Sequence, residues 1–390
     1  MTSDLLSPAS LWEKEPKAPG ASDVPCASSA SGASGTLDAS NLPGASGVLG
    51  AQEGDCVRCF LCAHYCRIRP GGSGVCGVRF NRGGALFTAV GCSVGAVNLD
   101  PVEKKPLFHF LPGSKTFSFG TPGCNMRCKF CQNSDLSQVR GSDASQKLQS
   151  LAAGRRATTV TPAGLVEAAR QSGAASIAYT YNEPGVFFEL MSGTATMALE
   201  HGLRNVMVSN GYISGECFSE LKDLVQAANI DLKSFSNDFY RELCGASLAP
   251  VLRTLRLAAK AGWLLEVTTL VIGGVNDSRG ELEELAGFIA GELGQDVPWH
   301  VSRFRPAYLM RDIPPTGLDS LERAIEAGKK SGLKYIYAGN VPGHPSENTS
   351  CPACGTTVLE RFAYTTKVNW GAEGPGKCPQ CGADIHGLWL

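Results

Sequence analysis

Surplus charge is almost absent from this 390-residue chain: 35 Lys and Arg stand against 36 Asp and Glu, for a formal net charge of -1. Nonspecific affinity for nucleic acid comes from excess cation, so a protein built to coat phosphate backbones is excluded and no nucleic-acid partner is expected. Long apolar runs are missing as well. No eighteen consecutive apolar residues occur, so no membrane association is expected. The first residues, MTSDLLSPASLWEKEPK, lack the basic-then-apolar order of a secretory signal, which makes a cytoplasmic location the expectation. Histidine is scarce, at six, and no HExxH motif occurs, which disfavours a zinc-dependent hydrolase. Cysteine is not scarce. Sixteen cysteines in a reducing compartment are poor candidates for structural disulfides, and clustered ones there more often hold metal.

Composition divides the chain into four parts. Within residues 18–50, 23 of 33 positions are Ala, Ser, Gly or Pro and none is aromatic, so residues 1–53 are expected to be a disordered leader, with Cys26 an incidental thiol. Residues 54–112 are dense in Cys and Gly, the look of a small domain in which metal replaces a hydrophobic core. From 113 to 345, short apolar runs at 116–120, 176–181, 205–209, 228–232, 264–271, 299–304 and 334–338 alternate with amphipathic stretches such as TPAGLVEAARQSG and LDSLERAIEAGKKSG. That alternation predicts an α/β fold with a parallel sheet, a partial TIM-like (β/α)6 barrel, although periodicity leaves a doubly wound sheet open. Residues 346–390 leave the pattern and carry two Cys pairs.

Three cysteine constellations carry the chemistry. In GCNMRCKFCQN, Cys124, Cys128 and Cys131 follow the first predicted barrel strand with C-x3-C-x2-C spacing. Three thiolates on one loop suit a cubane 4Fe-4S cluster with one iron left open. An open iron can chelate the amino and carboxylate groups of S-adenosylmethionine, beside which a one-electron reduction splits the sulfonium into methionine and a 5'-deoxyadenosyl radical. A zinc site borrowing a fourth ligand, or three buried thiols, are the competing readings; the strand-then-loop context sets them back. In CVRCFLCAHYC, Cys56, Cys59, Cys62 and Cys66 are followed by Cys76, and the segment admits zinc or an iron-sulfur cluster. Finally, Cys351-x2-Cys354 and Cys378-x2-Cys381 form two knuckles across a 23-residue loop, each with Pro inside and Gly after. A tetrahedral metal is expected there, with zinc favoured as a structural ion and rubredoxin-type iron the alternative. Cys217 and Cys244 read as buried inert thiols, and Cys92 receives no role.

The loop motif, with Phe130 just before its last cysteine, resembles the radical S-adenosylmethionine superfamily. Further runs, DPVEKKPLFHFLPGSKTFSFGTPGCNMRCKFCQN with CFLCAHYC upstream and YTYNEP, VSNGYIS, IDLKSF, WHVSRFRP and YAGNVPG downstream, are similar to the radical enzyme of the AmmeMemoRadiSam system, which is related to pyruvate formate-lyase activating enzymes. The likeness spans residues 54–390. It implies a partial TIM-like barrel, a 4Fe-4S cluster and S-adenosylmethionine, a reduced flavodoxin- or ferredoxin-like electron donor, and Memo-like and AMMECR-like partner proteins. It also implies a metal set of Cys59, Cys62, Cys66 and Cys76, leaving Cys56 over and His64 as a substitute ligand. By the same likeness, Glu183 accepts from the methionine ammonium, with Asn182 in place of the usual Gly beside it. Ser209 and Asn210 line the same pocket, Asp231 matches one carboxylate of a monovalent-cation site whose other carboxylate is replaced by Val208, and His300 approaches the ribose hydroxyls. Each of these is equally a polar residue capping a strand end. The expected activity is hydrogen abstraction from an unidentified substrate. The alternatives are a glycyl-radical enzyme activase and, from another class, a non-catalytic iron-sulfur or zinc electron-transfer protein.

Overall fold

The apolar runs between 96 and 339 assemble into one eight-stranded sheet in the computed structural model, which describes residues 6–15, 54–139 and 158–390. Its strands are β1 (Ala96–Pro101), β2 (Lys115–Gly120), β3 (Ser176–Tyr179), β4 (Arg204–Ser209), β5 (Ala227–Asp231), β6 (Leu264–Val271), β7 (Trp299–Arg303) and β8 (Ile336–Gly339). They lie side by side in chain order, β1 antiparallel to β2 and every later pair parallel. A doubly wound sheet requires the strand order to reverse at a switch point. None occurs here, and right-handed crossovers then put the intervening helices on one face. The edges β1 and β8 do not pair with each other, so the barrel is partial. Six β/α units run from β2 to β7, and β8 adds a seventh parallel strand.

The six longer helices are α1 (Pro162–Gln171), α2 (Phe188–Glu200), α3 (Gly215–Leu221), α4 (Leu248–Lys260), α5 (Arg279–Phe288) and α6 (Leu318–Lys330). Local chemistry sets their ends. Thr161 accepts from the Gly164 amide with Pro162 at the first turn, and Ser214 caps α3 through the Cys217 amide. Gly173 and Gly332, both with positive φ, follow the C-caps of α1 and α6, where an L-residue would be strained. In α4, Val251, Leu255 and Ala258 are fully buried at helical spacing; burying a Val or Leu side chain contributes about 1.5–3 kcal/mol. β3 is buried along its whole length because helices cover one face and the barrel interior the other.

The lower interior of the barrel is polar and plugged. The connector after β1 enters it, where Asn229 donates to the Pro106 carbonyl (2.7 Å) and the His109 amide donates to Glu266 (2.8 Å). Phe110 and Leu388 meet in a parallel bridge, so the chain's last residues close the same end. The C-terminal strands Thr349–Ser350, Thr357–Phe362 and Thr365–Val368 pack beside β8, with Val358 and Leu359 against Phe108, Tyr335 and Tyr337.

Two boundaries differ from the sequence expectation. Residues 6–15, placed with the disordered leader, form strands: Ser7–Pro8 pairs with Ala85–Thr88, and Trp12–Lys14 pairs with Val57–Cys59. Leu6, Leu11 and Trp12 pack against the core, which composition averaged over the leader conceals. The Ala/Ser/Gly/Pro-rich segment 18–50 lies outside the described residues. β1, placed with the Cys-rich domain, is the antiparallel edge of the main sheet.

Candidate active site

The cysteine loop begins where β2 ends. Gly123 (φ +91°) turns it against the small Cys-rich domain; a Cβ there would come within 2.6 Å of Val78 and 2.9 Å of the Cys76 carbonyl. Asn182, just beyond β3, clamps the start of the loop: its Oδ1 accepts from the Thr121 amide (3.1 Å) and its Nδ2 donates to the Gly123 carbonyl (2.6 Å). Tyr181 beside it holds φ +71°, a costly conformation for an aromatic residue. Its carbonyl accepts from Asn133 and its hydroxyl donates to Asp100 (2.6 Å).

Cys124, Cys128, Cys131, Phe130, Asn182, Glu183, Ser209, Asn210 and Asp231 all line one cavity of about 440 Å³ at the C-terminal ends of the strands. The sulfurs are in contact with donors, as thiolate ligands require. The Met126 amide donates to Cys124 Sγ (3.5 Å), Asn210 Nδ2 lies 3.7 Å from it, and Cys131 Sγ is 3.2 Å from the Ser137 hydroxyl. The Cys244 thiol beside Cys128, and burial after it, push the Cys128 thiol well above its ordinary value, while Lys233 pulls it down.

Glu183 is buried at the rear of the cavity. Ser209 Oγ, the Asn210 amide (2.8 Å) and the Gly185 amide (3.1 Å) donate to its carboxylate. Burial nevertheless pushes its pKa up to about 7. A carboxylate offers about four acceptor sites, so three donors leave it one. Asp231 is ion-paired with Lys233 (2.7 Å), whose ammonium lies 5.9 Å from the Phe130 ring centroid. Burial opposes the Lys233 charge, and Asp231 together with Cys128 and Cys244 outweighs it, so its pKa is raised.

His300 lies elsewhere. It lines an adjoining cavity of about 360 Å³, its Nε2 hydrogen-bonded to Glu266 (2.6 Å) and its ring edge-on to Phe108. The two cavities share Lys104, Pro106, Gln132, Ser302, Asn340 and Tyr364. Sequence reasoning missed several lining groups. Lys233 is in the quoted IDLKSF run and could have been chosen beside Asp231. Lys105, buried and paired with Asp100 (2.6 Å), gives no signal in a one-dimensional pattern. Burial tends to raise the Asp100 carboxyl, but hydrogen bonds from Lys105, Tyr181 and Lys104 hold it well below the usual range.

The other cysteine groups differ in geometry. Cys351, Cys354, Cys378 and Cys381 have their sulfurs within 4.8 Å of one another, with Cys351–Cys381 and Cys354–Cys378 both at 3.6 Å. In the Cys-rich domain, burial and then the neighbouring Cys66, Cys59 and Cys76 push the Cys62 thiol well up, so the four sulfurs feel one another. Burial likewise takes Cys66 to about 12. His64, considered as a substitute ligand, instead places Nε2 2.8 Å from the Asn125 carbonyl in the cysteine loop. No helix among the described residues is long and apolar enough to cross a membrane.

The sequence profile of the Radical SAM superfamily matches residues 119–289, the stretch from β2 into α5. An uncharacterized protein of Methanocaldococcus jannaschii, MJ0808, is 41% identical over 330 residues, which cover 84% of this chain and 95% of that protein. The chain belongs to the radical SAM superfamily. It is therefore an enzyme of the class that works with a 4Fe-4S cluster and S-adenosylmethionine, and the Cys124–Cys131 loop sits inside the matched span. Solved radical SAM structures overlap it at lower similarity. A domain of pyruvate-formate lyase-activating enzyme from Bacteroides vulgatus is 17% identical, covering 43% of this chain and all of that one, with a TM-score of 0.38. A radical SAM methyltransferase from Sphaerobacter thermophilus is 16% identical over 64% of this chain and 71% of its own, with a TM-score of 0.42. Overlap of that extent assigns neither substrate nor reaction.

Proposed function

We propose that this radical SAM enzyme holds its 4Fe-4S cluster on Cys124, Cys128 and Cys131 and abstracts hydrogen from a substrate seated in the two joined cavities. The observation that carries this is the convergence of the three loop thiols, a buried carboxylate and a partly buried ion pair on one cavity. With cluster and S-adenosylmethionine bound, one electron splits the sulfonium to methionine and a 5'-deoxyadenosyl radical. The chain's own residues do the rest. Glu183 offers its remaining acceptor site to an ammonium, and Asn210 braces Cys124 while its amide fixes Glu183. Lys233 supplies a positive charge beside Cys128, and its pairing with Asp231 leaves no need for a monovalent cation there. Tyr181, Asp100 and Lys105 hold one rim in place, and Tyr364 of the C-terminal module screens the cavity from water.

The four-Cys group at 351–381 fits a structural zinc, since its sulfur spacing suits a mononuclear tetrahedral ion. Memo-like and AMMECR-like partners and a flavodoxin- or ferredoxin-like donor are supported by motif likeness alone. Anaerobically reconstituted protein given dithionite and S-adenosylmethionine is expected to release 5'-deoxyadenosine, and replacing Cys124, Cys128 and Cys131 by Ala is expected to abolish it. Undiminished release from that triple variant would discard the reading.

A further inference from the structure

Cys244 is a buried thiol that the chemistry proposed above leaves without a role. It ends the short π-helix Tyr240–Cys244, and the cysteine loop is laced to that end. The Arg127 amide donates to the Cys244 carbonyl (2.7 Å) and the Lys129 amide to the Leu243 carbonyl (2.9 Å), so the two bonds straddle Cys128. Gly245, at φ +63°, then turns the chain away; a Cβ there would stand 3.4 Å from the Arg127 side chain. A disulfide needs Cα atoms about 4.4–6.8 Å apart. Hydrogen bonds on both sides of Cys128 bring its backbone to that kind of distance from residue 244. The side chains meet as well, the Cys244 thiol being the hydrogen-bond neighbour that pushes the Cys128 thiol up.

The pair is unequal in access. Cys128, 8% exposed, lines the cavity at the strand ends, whereas Cys244 is fully buried and borders neither cavity. Of the two, Cys128 is the one that a small oxidant in the cavity reaches, and Cys244 the one placed to resolve the product. The Lys233 ammonium bears on both sulfurs, and a cation so placed favours the thiolate, the form that attacks. The other loop thiols are engaged elsewhere: Cys131 with the Ser137 hydroxyl (3.2 Å), and Cys124 with the Met126 amide (3.5 Å) and Asn210.

We propose that Cys128 and Cys244 form a reversible disulfide when the loop has lost its metal, a modification that shields Cys128 from irreversible oxidation. Hydrogen peroxide oxidises the Cys128 thiol to a sulfenic acid and is itself reduced to water. The Cys244 thiol then attacks that sulfur, a sulfur-sulfur bond forms and a second water leaves. Without a resolving thiol, more peroxide carries the sulfenic acid to the sulfinic acid, which ordinary thiols do not restore. A dithiol reductant reverses the disulfide by exchange and returns both thiols. That the disulfide and the cluster exclude each other rests on the function proposed above, in which Cys128 ligates iron.

The test uses the full chain, freed of iron and fully reduced. After brief exposure to hydrogen peroxide, blocking of free thiols with iodoacetamide and digestion, mass spectrometry is expected to find the Cys128 peptide joined to the Cys244 peptide. Cys128 joined instead to Cys124 or Cys131, or carried to the sulfinic acid while Cys244 is alkylated, would overturn the proposal. Cys244→Ser supplies a second arm. Before peroxide it is expected to take up iron and sulfide as the wild type does, which reports that it folds. After peroxide and then dithiothreitol, the wild type is expected to recover its own starting uptake and the variant to lose most of it. Equal recovery would overturn the protective role. Protein that keeps its cluster throughout is expected to lack the cross-link. Its presence there would remove Cys128 from the cluster and leave the modification site standing, so the two readings fail separately.

Discussion

Glu183 shows how one side chain couples the pocket to pH. Its carboxyl is ionised above about 4.5 when exposed, but burial in the folded chain lifts its pKa to about 7. Between those values the unfolded chain releases the proton and the folded one retains it. Metal-free protein is therefore expected to lose stability as pH rises from about 4.5 to 7, by on the order of 3 kcal/mol at most, and to level off above. Glu183→Gln flattens this part of the profile, which urea denaturation at a series of pH values measures. Asn182 makes a second residue-scale prediction. Asn182→Ala leaves the Thr121 amide and Gly123 carbonyl without partners, an expected cost of about 1–3 kcal/mol in denaturant melts. The positions of these residues were legible in the YNEP run, but the backbone groups Asn182 binds are about sixty positions upstream, which no local pattern discloses.

At the scale of elements, the Cys-rich domain is tied to α2 by a buried ion pair. Arg79, 1% exposed, meets Glu189 at 3.1 Å. Glu189→Ala leaves a buried guanidinium uncompensated, with an expected loss of about 3–5 kcal/mol; hydrogen exchange should show residues 6–15 and the strands they pair with opening first. Most strands and helices were readable because their apolar positions repeat with the period of the element. α2 was not. Its buried Phe188, Leu190, Met191, Thr194, Ala195 and Ala198 share one face, but the opposite face carries Ser192, Gly193, Thr196, Met197 and Leu199, so little charge marks the helix as amphipathic. The strands at residues 6–15 escaped for the opposite reason: three large apolar residues were diluted by the polar leader around them.

For the whole molecule, cofactor binding and folding are linked. At a hundred times its Kd, S-adenosylmethionine should stabilise cluster-loaded protein by about 2.7 kcal/mol, seen as a raised Tm that the triple cysteine variant lacks. Removing metal from the C-terminal module should release Val358 and Leu359 from Phe108 and Tyr337, visible as lost near-ultraviolet dichroism. The alternation of the barrel, the Cys124–Cys131 loop and the C-terminal four-Cys group could be read from one dimension. The contact between His64 and the cysteine loop could not, since it depends on how two domains dock.

Tyr364 sits at the tip of the hairpin formed by the last two strands, half exposed, and borders both cavities. A gatepost borrowed from an appended module can be recut without disturbing the reactive centre. Relatives could therefore exchange one compound for another by altering a single turn, and grafting such a turn between them is a direct route to retargeting the chemistry.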